Sequence, residues 1–530
     1  VSPVASSTVS SSPAHVAQAI HRVTVHQDTY VDSVVQLSGT RAMRQVDGVD
    51  WAAAAMATPA NLQTLVQEGF ELTEVASAGA NDLFLAVRAD SEESVTAARE
   101  AAEAAMFTPR QGGTNERAAR AARTLAEALD RAPDSNVAVI SVPGDYAALE
   151  AHKALSSGLD VLLFSDNVSV EDEIELKDRA TELGRLVMGP GAGTAMLGHT
   201  CLGFANVVRP GRVAVVAAAG TGAQEAASLV DRWGIGVSHV IGLGGRDLTA
   251  AIGGRMALSA VRGLVDDDNT DVILLVSKPP SPEVARAVLA AAEGKQLVAA
   301  LIGVAPDFEA PDGVTVTRTL EAGAVAAVRA SGGAAPTVTD GLVDRVRELA
   351  AELPAERTLV RGLFSGGTLC YESLVILADV LGPVHSNTPI DKSLGLPVPD
   401  GAHSCLDLGE EEYTKGRPHP MIDPEARIEM LREQGADPAV AVIILDVVLG
   451  YGAHPDPAAE LAPICAKIIE GGGPRIVTYV LGTERDPQGY AAQKRAFEEA
   501  GCLVTETAAR ASLAAAALAG RKPELAGHAL

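Results

Sequence analysis

Aromatic residues are scarce in this chain: two Trp, seven Tyr and eight Phe make 3% of 530 residues. Proteins that bind single-stranded nucleic acid stack bases on such rings, so that class is excluded. Positive charge is short as well. Lys and Arg number 42 against 68 Asp and Glu, a formal net charge of −26, which argues against a nucleic-acid groove and against an anionic membrane surface. The five cysteines, Cys201, Cys370, Cys405, Cys465 and Cys502, show no paired spacing and no Cys-x-x-Cys. An odd, sparse set suits a reducing, cytoplasmic setting rather than a disulfide framework, and no metal ligands are expected. No apolar run reaches the roughly 18 residues that a membrane helix needs. Residues 1–14 are Ser-rich without a basic region and apolar core, so residues 1–20 read as a disordered tail and not as a signal peptide.

What is present is an internal repeat in a chain long enough for about three or four domains. An apolar run at 213–219 leads at once into Gly220, Thr221 and Gly222, then into helix formers with Glu225 one turn in. This reads as a buried strand, a tight turn and a helix opening. Glycine lets a ligand approach the backbone, and the free N–H groups and dipole of a helix start favour an anion such as phosphate, carboxylate or acyl phosphate. The pattern returns at 359–372, with Ser365, Gly366, Gly367 and Thr368 at the turn and Glu372 four residues after the Thr. The sequel repeats too: Gly242, Gly244, Gly245 and Asp247 in one copy, Leu406, Asp407, Gly409 and Glu410 in the other. Apolar strands at 272–276 and 441–446, and again at 297–302 and 475–480, complete two similar α/β modules, each with an anion-binding turn in the same place.

Around these modules the chain alternates strand and helix. Strands at 23–26, 49–56 and 82–87 and helices at 30–45, 61–68 and 91–106, the last capped by Asp90 or Ser91, predict a small ferredoxin-like α+β domain. Residues 109–114 read as a linker and 115–131 as a charged helix. Strands at 136–141, 161–164 and 186–188, with helices at 147–158 and 169–183 and a turn at Pro143, Gly144 and Asp145, make half of a doubly wound sheet. It ends in Gly189, Pro190, Gly191, Gly193 and Thr194, where glycines suit a ligand or a tight crossover equally. A linker is expected at 331–336. An insertion at 383–403, holding Asn387, lies at an edge where loops carry specificity.

These residues resemble a known family. Ser141-Val-Pro143 through Gly189-Pro190, then Pro210-Gly-Arg-Val213, Gly220-Thr221, Glu225 and Gly242-x-Gly244-Gly245, look like the α subunit of succinyl-CoA synthetase over about 136–328. The second module, with Leu406-Asp407-Leu-Gly409 and residues 446–454, is similar to the carboxyl-terminal domain of that enzyme's β subunit. One chain holding both behind a distinct N-terminal domain looks like the FdrA family. The likeness covers nearly the whole chain and rests on the order of the motifs. It implies an α/β fold with a ferredoxin-like α+β domain (21–110), a Rossmann-like CoA-binding-type domain (111–195) and two flavodoxin-like ligase domains (196–332 and 333–530). Two departures stand out. Where the α subunit carries its phosphorylated histidine in Gly-His-Ala-Gly-Ala, this chain has Leu320-Glu321-Ala322-Gly323-Ala324, and no stretch has room for an ATP-grasp domain. The glycine fingerprint for CoA's phosphates is missing as well.

The activity that the FdrA resemblance implies is carbamoyl transfer with phosphate, of the oxamate or oxalurate type, in ureide nitrogen breakdown. Carbamoyl phosphate or phosphate is then the substrate, no cofactor is required, CoA stays open as a ligand, and a homo-oligomer with further subunits is expected. The alternatives are an ADP-forming acyl-CoA synthetase subunit whose nucleotide domain lies on a partner and, from another class, a non-catalytic scaffold or regulatory subunit. The anion is assigned to Gly220, Thr221, Gly222, Gly366, Gly367 and Thr368. Glu225 and Glu372 would orient a substrate amine or act as bases. His454, just past a strand's carboxyl end, is a third candidate for chemistry, against a loop histidine beside a Pro turn. Substrate or CoA contacts are expected from Pro143, Gly189, Pro190, Gly244, Gly245, Asn387, Asp407, Gly450 and Gly452. His199 and His403 fit solvated turns, Glu410, Glu411 and Glu412 fit a solvated acidic face or a cation site, and Cys370 fits a helix core.

Overall fold

The computed structural model describes residues 19–31, 33–75, 78–107, 122–414 and 418–530. The linker expected at 109–114, nearly all of the expected tail and residues 115–121 of the expected charged helix lie outside them. The chain forms two compact units, Val1–Ala121 and Ala122–Leu530.

The first unit is built on three antiparallel strands, Ile20–His26, Val49–Met56 and Leu83–Ala89, the last at the centre. Alternation along the central strand sends Leu83, Leu85 and Val87 to one face and Phe84 and Ala86 to the other. Helices Ser33–Arg44 and Glu92–Phe107 cover the first face through Met43, Ala98 and Ala102. The second face packs against Leu65, Phe70 and Val75, the first of these on the helix Pro59–Gln67, which Thr58 caps. This is the ferredoxin-like arrangement of the α+β expectation.

The second unit holds three further sheets. Val137–Ile140, Asp160–Leu163 and Val187–Met188 form a small parallel sheet. Next come Pro210–Ala217, Val237–Gly242, Val272–Ser277, Gln296–Leu301 and Val314–Thr317, parallel in spatial order 2-1-3-4-5, with the antiparallel pair Thr194–Leu197 and Thr200–Gly203 at one edge. The last sheet repeats that order with Leu359–Phe364, His403–Asp407, Val440–Val448, Arg475–Leu481 and Leu503–Thr505, extended at the edge by Val384–His385 from the insertion. Strands buried on both faces read as continuous apolar runs, and Val440–Val448 is buried at every position. Helices Gly220–Arg232, Leu320–Ala330, Gly367–Leu381 and Ala508–Gly520 all contribute to one hydrophobic core shared by the two large sheets.

Two local expectations are corrected. Within the described residues of the expected charged helix, 122–124 are not helical and the helix runs over Leu125–Arg131, because Thr124 adopts an extended conformation and takes the Glu127 N–H at 3.1 Å. Pro143, Gly144 and Asp145 are the start of the helix Gly144–Ser156 rather than a free turn, with Gly144 letting the helix close onto the Asp166 and Asn167 carbonyls. No helix among the described residues is long and apolar enough to cross a membrane.

Candidate anion and proton-transfer site

The carboxyl ends of the three sheets in the second unit meet around one cavity of about 450 Å³. Ligands of open α/β sheets bind at such ends, where the strand order reverses. The small sheet contributes Phe164 and Asp166, and residues 191–194 line the cavity on the way from it to the edge strand of the first large sheet. The first large sheet contributes Gly220, Thr221, Gln224, Gly242, Gly244, Gly245 and Lys278. The second contributes Ser365, Gly367, Thr368, Asp407, Gly409 and Glu410, and a loop adds His419 and Met421.

The two Gly-Thr turns face each other. The Thr368 N–H donates to the Thr221 hydroxyl at 3.2 Å. A Cβ on Gly222 would stand 2.8 Å from the Thr368 methyl, and one on Gly366 2.9 Å from that of Thr221. Glycine is thus required where helix start meets helix start.

The turns are chemically unequal. Neither helix start carries a side-chain cap, but among the described residues the helix that begins at Gly220 has no carboxylate packed against it. Its first N–H groups have no intrahelical acceptor, and a Cβ at Gly220 would meet nothing within 4 Å. The second turn already carries carboxylates. Asp446 accepts the Ser365 and Gly366 N–H groups at 2.8 Å each and the Ser365 hydroxyl at 3.1 Å. Arg427, buried beneath, pairs with Asp446 at 3.1 Å. Asp407 lies so close to Gly367 that a Cβ there would stand 2.3 Å from its Oδ2. The first turn, with Lys278 on the same cavity wall, is therefore the open anion position.

Asp407 is 3% exposed, and burial, reinforced by Glu410, pushes its carboxyl up to about 7, against the opposing Gly409 N–H and Lys278. Its Oδ1 accepts the Gly409 N–H at 3.0 Å, and Asn387 clamps its backbone with two bonds of 2.9 Å. Burial lowers the His419 imidazole to about 4, so the ring is neutral. The Met421 N–H donates to its Nδ1 at 3.2 Å, which leaves the ring proton on Nε2.

Several expected site residues lie elsewhere. Glu225 and Glu372 do not line the cavity. Each reaches across to cap the last helix of the other module. Glu372 Oε1 accepts the Leu320 N–H at 2.6 Å, and Glu225 accepts the Tyr479 hydroxyl and, at 3.5 Å, the Ala508 N–H. Burial raises Glu225 to about 7 and Glu372 to about 8. His454 is 4% exposed, off the cavity, and its Nδ1 accepts the Asp456 N–H at 3.1 Å within its own loop. Gly450 and Gly452 pack on Ala205 and Phe204. Pro143 is an exposed helix cap, and Gly189 and Pro190 give the close crossover that Gly244 packs against, while Gly191 and Gly193 line the cavity. His199 is on the hairpin turn, and His403 accepts the Val360 N–H at 3.1 Å. Cys370 is fully buried and its thiol is held protonated by desolvation.

Among the site residues that escaped the sequence reading are Lys278, Asp446 and His419, beside the apolar walls Phe164 and Phe204. Lys278 directly follows a central strand's carboxyl end, and Asp446 is a carboxylate inside a nine-residue buried strand; both are legible signals. His419 reaches the cavity only through the path of its loop.

Comparison with known proteins gives a consistent picture. Residues 363–518 match a family model described as CoA-ligase, and residues 19–123 one described as AllF, heavy metal-associated domain. The residues do not fit a soft heavy metal: no cysteine precedes Cys201, and the described residues hold no cluster of three His, Cys, Asp or Glu placed to bind an ion. The chain is 39% identical over 515 residues to the uncharacterized protein YahF of Escherichia coli (strain K12), covering 93% of this chain and 98% of YahF. It is 30% identical over 175 residues to succinate–CoA ligase [ADP-forming] subunit alpha 2 of Archaeoglobus fulgidus, a match spanning 32% of this chain and 59% of that subunit. A solved dinucleotide-forming acetyl-coenzyme A synthetase 1 of Ca. Korarchaeum cryptofilum aligns at 18% identity and a TM-score of 0.27, over 74% of this chain and 85% of that one.

Proposed function

We propose a function from the family to which the chain belongs: it is a member of the YahF family, within the succinyl-CoA synthetase (CoA-ligase) superfamily, and we read it as the FdrA-type subunit of an enzyme that transfers a carbamoyl group to or from phosphate. The acceptor is of the oxamate type and the wider role is ureide nitrogen breakdown. Carbamoyl phosphate is itself a phosphate anhydride, so such a chain needs neither a nucleotide domain nor a phosphohistidine, in keeping with Glu321, in the first turn of the helix Leu320–Ala330, where a histidine stands in the α subunits.

One observation carries this reading. The uncapped start of the helix Gly220–Arg232 and Lys278 share a cavity with Asp407, a buried carboxyl that titrates near neutrality. The turn and Lys278 hold the phosphoryl oxygens. Preorganised donors of this kind contribute about 3 kcal/mol each to a developing charge. Phe164, Phe204 and the glycine walls hold the remaining, uncharged part of the substrate.

The second reading is an ADP-forming acyl-CoA ligase subunit with its nucleotide domain on a partner, which the match to the A. fulgidus subunit favours. The first turn of the small sheet does not favour CoA. A Cβ on Gly144 would stand 2.4 Å from the Asp166 carbonyl, so that glycine fits the chain's own backbone. Calorimetry of the purified chain against carbamoyl phosphate, inorganic phosphate and CoA, each alone, separates these readings. Carbamoyl phosphate binding without CoA supports carbamoyl transfer. CoA binding alone restores the ligase reading, and silence from all three supports a scaffold role.

A further inference from the structure

The cavity holds a group that the anion site itself does not explain. Asp407 brings a carboxyl into a pocket that favours negative ligands, and the chain holds it there with several contacts. Its backbone is clamped by Asn387, Oδ1 accepts the Gly409 N–H, and Oδ2 lies against the helix start at Gly367. A Cβ on Gly409 would meet both His419 Nε2, at 2.6 Å, and Asp407 Oδ1, at 3.1 Å, so carboxyl and imidazole converge on one point of the wall. His419 cannot serve as the base. Its Nδ1 is taken by the Met421 N–H, so it offers a fixed N–H.

We propose that Asp407 is the proton acceptor of the transfer, and that His419 Nε2–H holds the carbonyl oxygen on which charge develops; this rests on the carbamoyl-transfer reading above. The acceptor's nitrogen lone pair forms the bond to the carbamoyl carbon. The bond from that carbon to the phosphate oxygen breaks, its electron pair leaving with the phosphate. The nitrogen's proton passes to the Asp407 carboxylate and from there to the departing phosphate, which leaves as hydrogen phosphate with Asp407 ionised again.

The charged and titratable groups around Asp407 are Glu410 and Asp446, which disfavour its ionised form, and Lys278, which favours it. Arg427 neutralises Asp446 from below, Cys370 stays a thiol, and His419 stays neutral. A carboxyl raised to about 7 in this setting is matched to proton transfer near neutral pH.

The test uses the full chain and Asp407→Asn, a change of nearly equal shape. Sulfate keeps its charge between pH 6 and 8.5 and is titrated calorimetrically into both. Wild-type affinity is expected to fall several-fold across that range as Asp407 becomes an anion, and the variant to show no such fall. Phosphate release from carbamoyl phosphate with oxamate is then followed against pH. Wild-type kcat/KM rises through about pH 7, and Asp407→Asn loses about a hundredfold or more together with that rise. His419→Gln lowers kcat and leaves the pH midpoint in place. Where the chain alone shows no turnover, the sulfate slope decides. If the wild type binds neither sulfate nor phosphate, the anion site falls and the Asp407 role with it. Binding with the same slope in Asp407→Asn, or turnover with an unchanged pH profile, overturns the Asp407 role alone.

Discussion

At the residue scale, buried charge is placed where only tertiary contacts can satisfy it. Lys177 is fully buried, donating at 2.7 Å to both Glu173 and Asp247 and at 3.0 Å to the Leu243 carbonyl. Asp247 in turn accepts the Met256 and Ala257 N–H groups, so the network fixes the loop that carries Gly244 and Gly245 to the cavity. Lys177→Met leaves the buried Asp247 carboxylate without its cation, while Glu173 keeps Arg246 at 2.8 Å, and stranding Asp247 costs about 3–5 kcal/mol; urea unfolding measures it. In sequence this lysine looks like one more charge on a solvated helix, because nothing local reveals Asp247 seventy residues on. Glu372 makes a different prediction. Its folded value of about 8 lies above the ordinary 4.5. Between these values the folded chain holds a proton that the unfolded chain releases. The stability from this group is full below about pH 4.5, is lost as pH rises toward 8, and is flat above. Glu372→Gln keeps an oxygen for the Leu320 N–H without the titration. Its unfolding free energy relative to wild type, measured by urea titration, should therefore rise between pH 5 and pH 9, by an amount on the order of a few kcal/mol at about 1.4 kcal/mol per unit. A constant difference across that range would mean that Glu372 titrates normally.

At the element scale, the strand–turn–helix unit was legible because its three parts have three signatures: a continuous apolar run, glycines, and helix formers. The repeat made it legible twice, and both sheets show the same strand order. What the repeat hid is the inequality of its copies. Asp407 and Asp446 come from the two strands that flank Leu359–Phe364 and load the second turn with carboxylates, while the first stays open. The glycines differ accordingly. Gly220 faces open space, so Gly220→Val should fill the anion position while leaving stability within about 0.5 kcal/mol of wild type, the usual range for a change that disturbs no packing. Gly222→Ala should do the reverse. Its methyl would press on Thr368 at 2.8 Å and Val276 at 3.1 Å, and such overpacking costs about 1–3 kcal/mol. Calorimetric phosphate titration beside thermal melting separates the two outcomes.

At the scale of the whole second unit, the two modules are bound by reciprocal contacts between the starts of their helices. Glu372 of the second caps Leu320 of the first, and Glu225 of the first reaches Ala508 of the second. Sequence reasoning found both glutamates at matched positions and assigned them to chemistry. The match was real, but its cause is the pseudo-symmetry of the interface, and a repeat cannot by itself tell a shared site from a shared seam. Glu321 shows how far the seam extends. This residue, at the helix start where the sequence resembles the histidine-bearing stretch of the α subunits, accepts Arg510 Nε at 3.0 Å and Nη2 at 2.5 Å and also takes the Thr507 hydroxyl, all buried. Arg510 continues to the Ala526 and His528 carbonyls, tying the chain's last residues to the same point. If this pair locks the modules together, Glu321→Gln and Arg510→Met should each cost about 3–5 kcal/mol, because each strands a buried partner. The double variant should cost clearly less than the sum, with a coupling of about 0.5–3 kcal/mol for groups in one network. Denaturant titrations of the four proteins measure that coupling. Additive losses would mean that each side chain is held by its other bonds, and the lock would then lie with the glutamate caps alone.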